Sequence, residues 1–105
     1  MSLSHAIIYG SIREVESLVT QYPINEIDEY GYTPLVQCAI VSSAEKAEIL
    51  LKAGALVDMP DLTGRTALHW AVDNNNEDLC TLLLQHGANA NAYTAKFFCT
   101  ELVND

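Results

Sequence analysis

Basic residues are scarce in this chain: 5 Lys and Arg stand against 14 Asp and Glu, a formal net charge of −9 over 105 residues. A nucleic-acid binder carries a basic stripe, and a protein drawn to anionic lipid carries clustered cations, so the sequence argues against both. Long apolar runs are missing as well; none approaches the roughly 20 residues needed to cross a bilayer. Cys number 3, an odd count with no CxxC, which argues against a disulfide framework and for a reducing compartment. Met1-Ser2-Leu3-Ser4-His5 shows neither the basic start nor the apolar core of a signal peptide. Neither G-x-x-x-x-G-K-[ST] nor G-x-G-x-x-G occurs, so no nucleotide or other cofactor is expected. What the chain has in quantity is apolar surface, 50% hydrophobic against 18% charged residues, too much for a disordered segment. The expectation is one small, soluble, acidic, cytoplasmic domain.

An internal period organises the chain. Asp28-Glu29-Tyr30-Gly31-Tyr32-Thr33-Pro34-Leu35 returns 33 residues later as Asp61-Leu62-Thr63-Gly64-Arg65-Thr66-Ala67-Leu68. Ala47-Glu48-Ile49-Leu50-Leu51-Lys52-Ala53-Gly54-Ala55 returns at the same offset as Cys80-Thr81-Leu82-Leu83-Leu84-Gln85-His86-Gly87-Ala88. Asn25, Asp58 and Asn91 keep that spacing, and Leu3-Ser4-His5-Ala6 echoes Leu68-His69-Trp70-Ala71. A period of this length is the mark of a stacked repeat.

Each unit reads as two short helices and a turn. First helices open at Thr33-Pro34 and Thr66-Ala67, where Thr is a good N-cap and Pro suits the first helical position. Second helices open after Ser11, Ser42-Ser43 and Asn76; Ser11 with Glu14, and Ser42 with Glu45, have capping-box spacing. Gly54 and Gly87 close them, whereas the first unit stops at Tyr22-Pro23. The pattern predicts helices over 3–9, 12–21, 34–41, 44–52, 67–74 and 77–85. Between units, Asp28…Gly31 and Asp61…Gly64 place an acceptor first and a glycine fourth, which suits a type I turn with Gly at positive φ and a projecting two-stranded finger. Helices this short are unstable alone and must bury their Leu, Ile and Ala faces on the next unit, which is the logic of a solenoid.

These residues carry a family resemblance. Asp61…Gly64-Arg65-Thr66-Ala67-Leu68-His69-Trp70-Ala71 resembles the ankyrin-repeat motif D-x-x-G-x-T-P-L-H-x-A, with Ala67 in place of Pro. Leu82-Leu83-Leu84-Gln85-His86-Gly87-Ala88-Asn89-Ala90-Asn91 is similar to its L-L-L-x-x-G-A-x-x-N. The middle unit departs from the pattern at Val36, where the family has His, and at Ser42, where it has Gly. The resemblance implies an all-α ankyrin-repeat solenoid, with three helix pairs, two β-hairpin fingers and an incomplete C-terminal repeat. The expected single domain, 1–105, divides into a cap repeat 1–27, repeats 28–60 and 61–91, and an irregular stub 92–105. The stub has Thr100 and Leu102 where a further first helix would open, one residue late and with no supporting glycine, and the expectation is a fragment of a longer protein or a truncated product.

Catalytic and metal readings have weak support. Cys38 takes the place of Ala71 and Cys80 that of Ala47, both small packing positions where a buried thiol is inert; Cys99 falls in the tail. His69 sits where the family's histidine bonds the Thr of its own motif. His86 sits at a helix C-terminus, where the dipole favours it, and His5 matches Trp70. No metal-ligand spacing is present, and Asp28 and Asp61 are first residues of turns, where a carboxylate satisfies backbone N–H groups.

The informative residues are those the fold does not need. The resemblance implies that partner contacts come from finger tips and the inner helix face: Glu29, Tyr30, Tyr32, Ile40 and Val41 in one unit, and Leu62, Thr63, Arg65, Asp73 and Asn74 in the next. The period sets Tyr32 beside Arg65, where the two could stack as a cation–π pair. The expected function is non-catalytic binding of a protein partner with basic character on this surface, by a monomer unless the tail mediates dimerisation. The alternatives are an ankyrin segment of a larger multidomain protein, such as a signalling enzyme or secreted bacterial effector, and a structural spacer or oligomeriser.

Overall fold

The computed structural model describes residues 2–89, which leaves Asn91 and the expected stub 92–105 outside the described residues. Six helices and no strand occur among the described residues: α1 Leu3–Tyr9, α2 Ile12–Leu18, α3 Pro34–Ile40, α4 Ala44–Lys52, α5 Ala67–Asp73 and α6 Glu77–Gln85. Each pair, α1–α2, α3–α4 and α5–α6, packs as a hairpin. The first helices stack as an inner row, α1 on α3 on α5, and the second helices as an outer row, α2 on α4 on α6.

Side-chain caps explain where the helices begin. Ser2 Oγ accepts from His5 N–H and Thr33 Oγ1 from Val36 N–H. Ser11 and Glu14 form the expected capping box, and those bonds hold the Glu14 carboxyl below its ordinary range. The Ser42–Glu45 capping box does not form: Ser43 caps α4, accepting from Lys46 N–H at 3.2 Å. Ser42 is needed one step earlier, at φ +58°, to break the chain out of α3, and Asn75 does the same after α5 at φ +55°. α2 also ends earlier than the predicted 21, at Leu18. The side chains of Thr20 and Gln21 both turn back to the Ser17 carbonyl and compete with further helix.

The core runs unbroken through all three hairpins. Ile7 and Val15, then Leu50, then Leu68, Leu79 and Leu83 are sealed from solvent. Cys38 and Ala71 are both fully buried at equivalent places, as are Ala47 and, nearly so, Cys80. Polar links tie the units together. Leu56 N–H donates to Asn25 Oδ1 at 2.9 Å, and one period later Asn89 N–H donates to Asp58 Oδ1 at 3.0 Å. Asn74 Nδ2 reaches the Ala39 carbonyl at 3.0 Å, and Lys46 Nζ caps the Ile7 carbonyl at 2.8 Å.

Candidate functional site

The two expected fingers are turns without strands among the described residues, each built by its first residue. Asp28 Oδ1 accepts the N–H groups of Tyr30 and Tyr32 at 2.9 and 3.0 Å, and Asp61 Oδ1 accepts those of Thr63 and Arg65 at 2.8 and 3.0 Å. Each turn closes through a backbone bond, Asp28 to Tyr32 and Asp61 to Arg65, with Gly31 at φ +90° and Gly64 at φ +85°. The fingers then join directly: Leu62 N–H donates to the Gly31 carbonyl at 3.0 Å. The Leu62 side chain lies over Gly31, close enough that a Cβ there would stand 3.0 Å from Leu62 Cδ1.

The other carboxylate oxygen of each Asp looks inward. Asp61 Oδ2 accepts the Trp70 indole N–H at 3.1 Å, and Asp28 Oδ2 accepts the Gln37 amide at 3.2 Å and the Ser4 hydroxyl at 2.8 Å. Burial alone would raise the Asp61 carboxyl, but the hydrogen bonds from Thr63, Arg65 and Trp70 outweigh it and hold the group below its ordinary range. The spacing set Tyr32 against Arg65; in the structure Trp70 stands against both. The Arg65 guanidinium carbon lies 4.7 Å from the Trp70 ring centre, and Tyr32 meets that ring edge-on at 5.9 Å. Arg65 also pairs with Asp73. Trp70 is the member of this cluster that the period did not single out. Its signal was available, since it occupies the first-helix position at which Gln37 serves the preceding finger.

The ten expected contact residues divide by exposure. Glu29, Tyr30, Leu62, Thr63, Asp73 and Asn74 are exposed, and Tyr32, Arg65, Ile40 and Val41 are half-buried. Ile40 and Val41 pack against the core, and the Asn74 amide already serves the Ala39 carbonyl. Tyr30 and Leu62 are the conspicuous pair, 62% and 76% exposed. Glu29 and Tyr30 line a hollow with His5 and Tyr9 of α1, neither of which is among the ten expected contact residues. On the opposite side, a groove of about 510 Å³ lies between α2 and α4, floored by Ile12, Val19 and Ile49 and edged by Glu16, Glu45 and Glu48.

Cys38, Cys80 and His69 are held in structural surroundings. Burial pushes the Cys38 thiol far up, and burial with nearby Glu77 pushes Cys80 up to about 11. His69 Nδ1 accepts the Thr66 N–H at 2.9 Å, and the Thr66 hydroxyl lies at the same distance. Burial and then the neighbouring Arg65 charge keep the imidazole below its ordinary value, in the neutral form this bond requires. No group of three or more His, Cys, Asp or Glu residues is placed to hold a metal ion among the described residues. No helix among them is long and apolar enough to cross a membrane.

The family model for ankyrin repeats, three copies, matches residues 3–94, and the chain belongs to the ankyrin-repeat family. It is 36% identical over 84 residues to inversin of Danio rerio, covering 79% of this chain and 8% of that protein. It is 32% identical over 88 residues to the neurogenic locus notch homolog protein 1 of Cricetulus griseus, covering 81% of this chain and 4% of that one. Among solved structures, it resembles a chain of the complex between the Bd0816 predatory endopeptidase of Bdellovibrio bacteriovorus and immunity protein Bd3460. The TM-score there is 0.77 at 30% identity, over 86% of this chain and 48% of that chain. The chain therefore spans less than a tenth of the length of either relative and about half of that chain.

Proposed function

We propose that this chain is a non-catalytic interaction module that binds a protein partner on its fingers and inner helix row. The observation that carries this reading is the exposure of Tyr30 and Leu62 on adjacent finger tips that are locked together by the Leu62–Gly31 backbone bond. Aromatic and apolar side chains at such positions add nothing to the core, while Tyr gives contact area at low rotamer cost. The joined fingers are preorganised, which lowers the cost of binding. Trp70 extends the surface inward, clamped between Arg65 and Tyr32. The net charge of −9 favours a partner with basic character, chiefly through faster association. A protein complex is also what the similar solved structure contains, and a reducing, cytoplasmic setting suits the two buried free thiols Cys38 and Cys80.

The test is pull-down with mass spectrometry, followed by calorimetric titration of the captured partner. Tyr30→Ala and Leu62→Ala should each weaken binding by at least ~1 kcal/mol, as anchor residues do. Unchanged affinity in both, with a loss on substituting Glu45 or Glu48, would move the site to the outer groove.

A further inference from the structure

The hollow between α1 and the first finger has a volume of about 240 Å³. Pockets for drug-sized ligands run from ~300 Å³ upward, so this one suits a single side chain. Two of its walls are the most exposed aromatic rings of the described residues, Tyr9 at 77% and Tyr30 at 62%. The Tyr9 ring and the Tyr30 backbone are each held in place. His5, one turn before Tyr9, meets it edge-on at 5.0 Å, and the Tyr30 backbone is fixed by its bond to Asp28 at 2.9 Å.

Among the described residues the fixed charge at the hollow is negative, with His5 the one ionisable base in its walls. Glu29 stands in its wall, and Asp28 lies behind it, bonded to the wall hydroxyl of Ser4 at 2.8 Å. Among the described residues the walls contain no Lys or Arg. An anionic ligand would face the Glu29 carboxylate, and a neutral apolar one would leave Glu29 without a role. A cation uses every feature: ring faces attract it through their quadrupoles, and the carboxylate through charge. A planar guanidinium stacks on aromatic rings and presents a fork of N–H donors to a carboxylate, which a compact ammonium cannot do.

We propose that this hollow is a pocket for one arginine side chain of a protein partner, with Tyr9 and Tyr30 against the guanidinium and Glu29 accepting its N–H groups. The assignment deepens the interaction reading and rests on it only for the source of the arginine. Its test uses a free arginine derivative, so the two can fail separately.

The experiment is a ¹H–¹⁵N titration of the chain with N-acetyl-arginine amide, with N-acetyl-citrulline amide as the neutral isostere and N-acetyl-lysine amide as the second cation. The expected result is weak binding, with Kd on the order of millimolar, and shift changes centred on the amides of His5, Tyr9, Glu29 and Tyr30. Arginine should bind more tightly than lysine, and citrulline should give no comparable response. Tyr9→Ala, Tyr30→Ala and Glu29→Gln should each weaken arginine binding by about threefold or more, the loss of one exposed cation–π or charged contact. All three sites are exposed, and Glu29→Gln keeps the shape of the wall, so thermal unfolding should stay at the wild-type midpoint. No response to arginine, an equal response to citrulline, shifts confined to the outer groove near Glu48 and Ile49, or binding unaltered in the folded variants would each overturn the assignment.

Discussion

The indole N–H of Trp70 donates to the Asp61 carboxylate at 3.1 Å, and in the preceding unit the amide of Gln37 makes the same link to Asp28 at 3.2 Å. The side chain at this first-helix position therefore ties its helix to the base of its own finger, by two different chemistries. Trp70→Phe keeps the ring beneath Arg65 but removes the donor. It should destabilise by about 1.5–3 kcal/mol, the range for a hydrogen bond to a charged group. Asp61→Ala should cost more, because the Thr63 and Arg65 N–H groups lose their acceptor together with Trp70. Urea denaturation of both variants checks the order; a Trp70→Phe protein as stable as wild type would remove the link from the fold's energetics.

The two finger glycines should respond unequally to the same change. Both hold positive φ, so Gly31→Ala and Gly64→Ala share a backbone strain of about 1 kcal/mol or more. A Cβ at Gly64 meets nothing within 4 Å, whereas one at Gly31 meets Leu62 Cδ1 at 3.0 Å. Gly31→Ala should therefore be the more damaging, and Leu62→Ala should recover part of the difference. A thermal double-mutant cycle measures this coupling, and a zero coupling energy would place Leu62 elsewhere in solution.

Ser42 offers a gain. It holds φ +58° where an L side chain is strained, so Ser42→Gly should stabilise by about 0.5–1 kcal/mol after the larger entropy of an unfolded glycine is subtracted. Asn75, at φ +55°, should gain less on the same change because Asn tolerates that region. Melting temperatures of the two variants test the ranking.

Core truncation should be severe. Leu83 is fully buried in α6, and Leu83→Ala should cost about 2–5 kcal/mol. That is a large part of the roughly 5–15 kcal/mol by which a folded domain is stable. An unchanged melting temperature would show that α6 packs in another register.

Stability should fall with acid in two stages. The folded His69 titrates below the ordinary value of 6.5, so the unfolded chain takes up that proton first. The His69 contribution is complete above about pH 6.5 and declines as pH drops below it. Asp61 also has a lowered folded value, against an ordinary 3.8. Its contribution is present above the unfolded carboxylate range and is lost as pH falls through the folded one. Denaturation free energies taken between about pH 7 and pH 3 should show both, and His69→Gln should flatten the first. A first stage unchanged in that variant would assign it to another group.

Local rules were legible in the sequence because they act over three or four residues. Ser11 with Glu14, Thr33 with Val36, and Asp61 with Thr63 and Arg65 make their bonds wherever the chain goes next. The period added the stacking, since the apolar faces around Leu50 and Leu83 have nowhere else to be buried. Tertiary structure alone decided which side chains meet across units. The period put Tyr32 beside Arg65, but the indole of Trp70 is large enough to reach both, and spacing carries no information about side-chain reach. Ile40 and Val41 stood on the expected inner face, yet packing against the core half-covers them. The hollow of His5, Tyr9, Glu29 and Tyr30 was hidden for a different reason. The first unit runs out of step with the others, Ser11 matching Ser43 at an offset of 32 rather than 33. No repeat rule could bring α1 against the first finger, and only the packing of one unit on the next sets those rings and that carboxylate around one space.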